Sequence, residues 1–434
     1  VTTKSENETL TEVGAGTPMG GLMRQYWLPA AAADELAADG DPVRLMLLGE
    51  KLIAFRDSSG RIGVMDHRCP HRCASLFFGR NEEDGIRCVY HGWKFDVDGN
   101  CLDMANVPPH QDFKHKIKAK AYKAEERNGL IWVFMGDQNN VPALPEIEAT
   151  LIPDGEMEIG FHQRECNWLQ AIEGEIDTSH VGLLHYGNLD TSTFAKDGIR
   201  KYSVADRAPE YITEETDYGF MYGAHRPADE GNLYWRVAHF MFPFWALPPV
   251  NVIESNFMAR AYVPMDDTHT MILVMVIKND PHGREVRAIP GGSMDLEYEP
   301  NSTDWYGRWR LTANAGNDYM IDRDVQRNET FTGIHGIVVQ DHAINEGMGP
   351  IVDRTFEQLA PSDMMINRVR RMLIKCARAH AKDGTVPASA SDPHVYHGIR
   401  SGQYVAPADR NWLDAYRKII ADNPVRYPLP DAAE

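Results

Sequence analysis

Two cysteine–histidine pairs near the N-terminus limit what this chain can fold into more than any other feature. They are Cys69-Pro70-His71 and Cys88-Val89-Tyr90-His91, with sixteen residues between them. Each short loop offers one thiolate and one imidazole. A structural zinc finger usually segregates its ligands, two Cys in one loop and two His in the other. Here each loop can give its Cys to one metal and its His to a second.

That is the ligation of a Rieske [2Fe–2S] centre, in which two His replace two Cys on one iron. Cys69 and Cys88 are expected to hold one iron, and His71 and His91 the other. A mononuclear Cys₂His₂ zinc knuckle is the plainer alternative. High-potential Rieske centres carry a second Cys in each loop, joined by a disulfide. Cys73 has no such partner, because only Val89 and Tyr90 lie between the ligands of the second loop. A low-potential cluster of the kind that feeds oxygenases is expected.

The residues around these loops predict short strands and tight turns. Segments 43–48 and 51–57 flank Gly49-Glu50, a hairpin signal, and 93–97 and 101–104 flank Asp98-Gly99-Asn100. An apolar strand is expected over 129–135, and the Pro-rich stretch 141–153 reads as a boundary. Beyond it strands (157–163, 259–263, 271–278) mix with helical stretches (167–184, 305–327, 362–382). The run 240–253 is aromatic but broken by Pro243, Pro248 and Pro249, and 281–304 is expected to be a long loop. The expected fold class is α+β: a small antiparallel β domain over 43–150 carries the cluster loops. A larger mixed domain over 151–434 has a central antiparallel sheet flanked by helices, and residues 1–42 pack on it.

With 44 basic and 63 acidic residues the net charge is −19, which argues against a nucleic-acid partner. Apolar runs such as 271–277 are too short to span a bilayer, and the first eleven residues hold no signal-peptide core. Six cysteines in 434 residues make no disulfide scaffold. The expectation is a cytoplasmic protein with no membrane partner.

A second constellation runs from Asn167 to His185. If it is helical throughout, Glu173, Asp177 and His180 share one face at i, i+4 and i+7. His185 lies five residues past His180, about 140° round an ideal helix. For both imidazoles to reach one metal, the helix must bulge or end near Gly182. Two His and a carboxylate form the facial triad of non-haem Fe(II) oxygenases. Alone, the pattern fits a partly buried helix as well; downstream of a Rieske pair it offers the electron acceptor that a cluster needs. From the residues themselves the carboxylate stays open among Asp322, Asp324, Asp341 and Asp353.

Over nearly its whole length the chain resembles the catalytic α subunit of the Rieske non-haem iron oxygenases. The Asp177-x-x-His180-x₄-His185 segment and the run Gly349-Pro350-Ile351-Val352-Asp353-Arg354 resemble the phthalate dioxygenase group most. That group acts on phthalates, chlorobenzoates and phenoxybenzoates and includes O-demethylases of aromatic acids. The resemblance implies a mononuclear Fe(II) held by His180, His185 and Asp341, since the family's Asp has a Glu five residues on, as Asp341 has Glu346. It implies that Asp177 bridges the two centres, between His180 and His91 of a neighbouring subunit in a trimer or stacked trimers. Asn167 and Glu173 are expected to brace the ligands. A flavin- or ferredoxin-type reductase would supply electrons. O₂ and an aromatic carboxylate would react by cis-dihydroxylation or by monooxygenation, O-demethylation included.

Arg207, Arg226 and Arg236 are candidates for a fork on the substrate carboxylate, and residues 240–245 for an aryl pocket or plain core. His342, beside Asp341, points about 100° away on a helix. The basic helix over 364–382 reads as a solvated face or a docking stripe. A Rieske ferredoxin, the rival reading, needs about 100 residues and no second metal site.

Overall fold

The computed structural model describes residues 2–153, 155–187, 199, 201–278 and 296–424. Two β units stand side by side. In the first, a six-stranded antiparallel sheet runs in the order Trp27–Ala32, Leu130–Phe134, Ala121–Arg127, Ile62–Asp66, Glu50–Arg56, Val43–Leu47. A four-stranded sheet (Arg80–Glu82, Gly85–Arg87, Trp93–Phe95, Cys101–Met104) completes the unit and carries the metal loops. The predicted hairpin closes one residue early, at Leu48-Gly49. Leu47 pairs with Glu50, and both turn residues have positive φ, the signature of a two-residue I′ turn.

A boundary at residue 43 cuts this unit. Strand Trp27–Ala32 pairs with Leu130–Phe134 and so belongs to the first sheet. The helices Lys4–Thr11 and Pro18–Met23 pack instead on the long helix Met364–Asp383 of the second unit. The second unit is built on an eight-stranded antiparallel sheet. Its order is Met157–Arg164, Thr270–Ile277, Met258–Pro264, Trp245–Leu247, Asn232–Met241, Gly219–Pro227, Glu210–Thr216, with Gly402–Pro407 also paired to Asn232–Met241. Thr270–Ile277 is buried along nearly its whole length, which explains why it reads as an unbroken apolar run.

One hydrophobic core runs through both large sheets, and a smaller one lies under the metal loops around Phe55, Ile86, Trp93 and Phe95. Trp132 of one unit stacks on Trp245 of the other, ring centroids 5.9 Å apart. The Leu48-Gly49 turn donates its backbone N–H groups to the carbonyls of Pro264 and Met265, at 3.1 and 2.8 Å.

Two expected helices come out shorter. Within 305–327 the only α-helix begins at Arg323 (Arg323–Asn328), after a distorted 3₁₀ segment at Ala315–Met320. Asn314 and Asn317 bond nearby backbone, and Trp309, Asp318, Tyr319 and Met320 take positive φ, which a helix forbids. The helix expected over 167–184 ends at Glu175. Residues 281–295 of the expected long loop lie outside the described residues. Among the described residues, no helix is long and apolar enough to cross a membrane.

Candidate metal centres

The two cluster loops are built alike. The Cys69 carbonyl accepts from Cys73 N–H and the Cys88 carbonyl from Gly92 N–H, each at 2.9 Å. Cys69 N–H bonds Ala74 and Cys88 N–H bonds Trp93, each at 2.8 Å, so each loop is pinned behind its ligands. Cys73 and Gly92 occupy equivalent left-handed positions, φ +59° and +75°. The second loop holds no cysteine besides Cys88, so Cys73 has no disulfide partner in it. Both ligand cysteines are buried, while the imidazoles of His71 and His91 are half-buried, ring centroids 4.4 Å apart. Trp93 stacks flat on His71 at 4.4 Å and fixes its plane. Burial and the adjacent Cys88 push the Cys69 thiol up to about 12. A bare thiolate pair is thus unfavourable here, and a bound cation would reverse that. Two sulfurs within, two nitrogens towards the surface: the donor set fits a two-iron cluster, whose histidine side would be the one nearer the surface.

The second site starts where the helix Trp168–Glu175 stops. Asp177 ends it: its Oδ1 accepts from Ser179 N–H and Ser179 Oγ–H, both at 2.7 Å, a local turn that competes with the helix. A single turn over His180–Gly182 follows, closed by Leu184 N–H on the His180 carbonyl at 2.8 Å. That break, rather than a bulge in a longer helix, aims both imidazoles at one point. Asp341 reaches the same point from the helix Ile337–Gly347. Its Oδ1 lies 3.4 Å from His185 Nε2 and 3.8 Å from His180 Nε2. Among the described residues this is the one group of three donors, one atom from each, that lie within 4.8 Å of one another. The rival acids are engaged elsewhere. Asp322 caps the helix after it, Asp324 pairs with Arg327, and Asp353 folds back on Thr355.

Gln340, a residue that carries no metal-ligand signal in the sequence, decides how His185 presents itself. Its amide N–H₂ donates to Thr332 Oγ1 and the Ile334 carbonyl, at 3.0 and 2.8 Å. Its oxygen must then face His185 Nδ1, 2.6 Å away, and accept from it. Nδ1 carries the proton, and Nε2 is left with its lone pair towards the metal point. Burial favours the neutral His185 ring, despite the pull of Asp341. Gln340→Leu should lower affinity for the mononuclear metal on the order of 10- to 100-fold. Iron content in a graded series of chelator concentrations checks this; unchanged retention with an intact cluster spectrum would free His185 from Gln340.

Two expected braces sit elsewhere. Asn167 caps the helix start, its Oδ1 accepting from Leu169 N–H at 3.1 Å and its Nδ2 donating to Thr11 and Asp267. Glu173 does not share a face with Asp177 and His180. It is clamped by Arg354 and Arg370 inside the core, at 2.9 and 2.5 Å.

Beside Thr178 and Ser179 lies one face of the large sheet. Tyr211 pairs with Ala224, Ala224 with Arg236, and Tyr222 and Arg226 alternate with Ala224 along their strand, so all project the same way. Arg236 Nε donates to Thr178 Oγ1 at 2.9 Å. Arg226 is buried and gives Nε to the Asp206 carbonyl at 2.6 Å. Its Nη1 and the hydroxyls of Tyr211 and Tyr222 are buried without hydrogen-bond partners among the described residues. Arg207 is exposed, its guanidinium 4.8 Å over the Tyr186 ring. Of the aromatic run, Phe240, Phe242, Phe244 and Trp245 are core residues.

Residues 26–118 match the Rieske [2Fe-2S] domain, and residues 133–426 match the domain described as LigXa C-terminal domain like. The chain belongs to the Rieske non-haem iron oxygenases. Within them it is phthalate dioxygenase-like. It is 48% identical over 423 residues to the 3-chlorobenzoate-3,4-dioxygenase oxygenase subunit of Comamonas testosteroni, covering 96% of this chain and 98% of that one. It is 35% identical over 433 residues to the phthalate 4,5-dioxygenase oxygenase subunit of Pseudomonas putida, covering 96% and 95%. Dicamba monooxygenase bound to dicamba shares the fold, with a TM-score of 0.57 at 18% identity over 83% of this Rieske oxygenase and 98% of that chain. A Rieske [2Fe–2S] cluster and a mononuclear iron are the family's cofactors.

Proposed function

We propose that this Rieske oxygenase adds both atoms of O₂ to the ring of a benzoate-type carboxylate, as the terminal component of a system whose electrons come from a separate reductase. The observation that carries the substrate class is the buried donor set beside the triad. Arg226 Nη1, Tyr211 OH and Tyr222 OH lack partners among the described residues, and Arg236 stands next to them. Unsatisfied buried donors are costly, and a carboxylate oxygen would satisfy several at once. Burial and the neighbouring Arg236 draw the Arg226 pKa down, so an anion beside the pair would relieve their repulsion. The two relatives above carry the names of dioxygenases of aromatic acids, which favours dihydroxylation over demethylation.

In this reading Cys69, His71, Cys88 and His91 hold the cluster, and His180, His185 and Asp341 hold the iron. When bound, these groups supply one-electron transfer and open coordination positions for O₂. The residues of the chain orient the rest. Arg226 and Arg236 anchor the acid end of the substrate so that the ring, not the carboxylate, faces the triad. Gln340 keeps His185 in its metal-binding tautomer. Asp177, with one oxygen held by Ser179 and the other 3.5 Å from His180 Nδ1, bridges to His91 of a neighbouring copy.

A head-to-tail ring of copies, a trimer or a stacked pair of trimers, suits the surfaces. Phe78, Val89 and Tyr90 are exposed around the cluster loops, and Leu183, Tyr186 and Phe331 are exposed beside the triad. Two different apolar patches on one chain can cover each other by heterologous contact, and a contact whose rotation closes gives a ring.

A product screen across benzoate, 3-halobenzoates, phthalates and methoxylated aromatic acids tests the function. The expected product is a cis-dihydrodiol of a benzoate-type acid. Formaldehyde from a methoxyarene, without any diol, would replace this reading with O-demethylation. Arg236→Leu should raise KM for the acid roughly ten- to hundredfold, the worth of a charge-assisted hydrogen bond. An unchanged KM would move the carboxylate to another place in the chamber.

A further inference from the structure

Residues 108–123 carry five Lys against one Asp, a balance of +4 on a chain whose net charge is −19. The stretch is fastened to the unit that carries the cluster loops. Cys101 N–H donates to the Ile117 carbonyl at 3.3 Å, and Ala119 N–H to the Gly99 carbonyl at 2.8 Å. Asp112 Oδ1 accepts from Lys114 N–H at 2.8 Å, which fixes the turn that presents Phe113. Lys114 and Lys120 are paired, with Asp112 at 3.2 Å and Glu50 at 2.6 Å. Lys116 and Lys118 are exposed and have no ion-pair partner among the described residues. Phe113 sits one turn before Lys116, whose N–H donates to the Phe113 carbonyl at 2.9 Å, and its ring is 37% exposed. That ring stands edge-on to Trp93, centroids 5.8 Å apart. Trp93 is buried, its Nε1–H donates to Asn106 at 2.8 Å, and its ring lies flat on His71 at 4.4 Å. An exposed aromatic flanked by unpaired cations is thus two ring contacts from a cluster ligand. His91 has a different neighbour, Tyr90, at 3.8 Å.

We propose that the reductase docks an acidic face on Phe113, Lys116 and Lys118, and that electrons enter the cluster on its His71 side. The chain as a whole is anionic, so an acidic partner is repelled over most of its surface and steered to the place where the sign reverses. Aromatic residues at the centre of a contact and charge at its rim are the ordinary anatomy of an interface, and Phe113 with its lysines has that arrangement. In each transfer one electron leaves the carrier of the reductase, which is oxidised, and the cluster is reduced by one electron. No proton and no heavy-atom bond moves. Entry beside His71 leaves His91 for the exit towards Asp177 of a neighbouring copy, so the two imidazoles divide the two transfers. The long helix Met364–Asp383 is the other basic surface, with Arg371, Lys375 and Arg378 exposed. It packs on the helices Lys4–Thr11 and Pro18–Met23, and no ring contact ties it to a cluster ligand among the described residues.

The inference rests on the reading of this chain as one that takes electrons from a separate reductase. Its test runs anaerobically and without substrate, so it is decided apart from the question of which acid is oxygenated. The probe is the reductase that reduces the cluster of the parent enzyme. In stopped-flow, the double variant Lys116→Glu, Lys118→Glu should slow second-order cluster reduction on the order of tenfold or more at low ionic strength, and added salt should close the difference. Phe113→Ala should raise the reductase concentration for half-maximal reduction roughly tenfold, with little dependence on salt. Binding of the reductase to immobilised oxygenase, which needs no electron transfer, should weaken in both. Cluster absorption, and reduction by photoreduced deazaflavin, a small donor that needs no docking surface, should match the parent. The double variant Lys375→Glu, Arg378→Glu on the long helix should bind and accept electrons as the parent does. Parent-like binding and reduction in the first two variants would overturn the site, and loss in the helix variant alone would move docking to that helix. A changed oligomeric state in Lys116→Glu, Lys118→Glu would give the surface to a second copy of this chain instead and equally overturn the proposal. Failure of the parent to oxygenate any aromatic acid would overturn the functional reading, and the docking result would stand by itself.

Discussion

Asp177→Asn should leave the reductase able to reduce the cluster but block electron transfer from the cluster to the iron. The Asp177 carboxylate is held at one oxygen by two bonds from Ser179, and its other oxygen faces His180 Nδ1 at 3.5 Å. Burial disfavours its charge, but His180 and Ser179 outweigh burial and hold its pKa below the ordinary carboxylate range. It is therefore an anion at working pH. An anion accepts strongly from two imidazole N–H groups; the amide of Asn offers one neutral oxygen and a donor that would face an N–H. The variant should keep its cluster and most of its mononuclear iron. Reoxidation of the reduced cluster, with O₂ and substrate present, should slow on the order of a hundredfold. Single-turnover stopped-flow measures it. Normal reoxidation and normal product yield would remove Asp177 from the electron path and leave it as the residue that ends a helix.

The largest stability loss is expected at Glu173, which the linear pattern had placed beside the metal. Its side chain is 9% exposed, and Arg354 is fully buried. Arg370 bonds both Glu173 oxygens and also Glu357, at 2.5 and 2.9 Å. Burial alone would raise the Glu173 pKa, and the two guanidiniums more than reverse that. Glu173→Leu leaves Arg354 with only Asn7 as a side-chain partner among the described residues, an uncompensated charge in the core. Removing one partner of a buried pair costs about 3–5 kcal/mol. Calorimetry should show the unfolding transition moved down by several degrees. An unmoved transition would mean that water reaches Arg354. Replacing Glu173, Arg354 and Arg370 together by apolar residues should recover much of the loss, since buried pairs are often no better than good packing.

How far the site could be read from the chain depends on sequence distance. Cys69 and His71, or His180 and His185, are neighbours in one loop, and a short loop has few ways to aim two ligands. The apolar strands around 130 and 270 were legible for a similar reason: burial over five to eight successive residues leaves a local mark. The ends of elements were less so. Asp177 has helix on one side in any pattern, yet its side chain bonds Ser179 and turns the chain. The irregular 305–320 segment turns on Asn314 and Asn317, whose bonds to nearby backbone compete with a helix. Glu173 was misplaced because helical periodicity says which face a residue occupies, not what that face meets. Its partners stand 181 and 197 residues away.

By itself, then, the sequence determined the candidate donor set of each centre, apart from the carboxylate, and the β character of the unit that carries the cluster loops, since both are written in nearby residues. Tertiary structure decided what could be settled only by bringing distant segments together. It singled out Asp341 by geometry, where the sequence left four acids open and only the family resemblance chose among them. It set Gln340 against His185, 155 residues away, and so the tautomer that ligand presents. It aligned Tyr211, Tyr222, Arg226 and Arg236 on one sheet face through strand register. Each of these depends on a register or a crossing fixed by core packing over the whole domain, and such contacts leave no periodic trace in the chain.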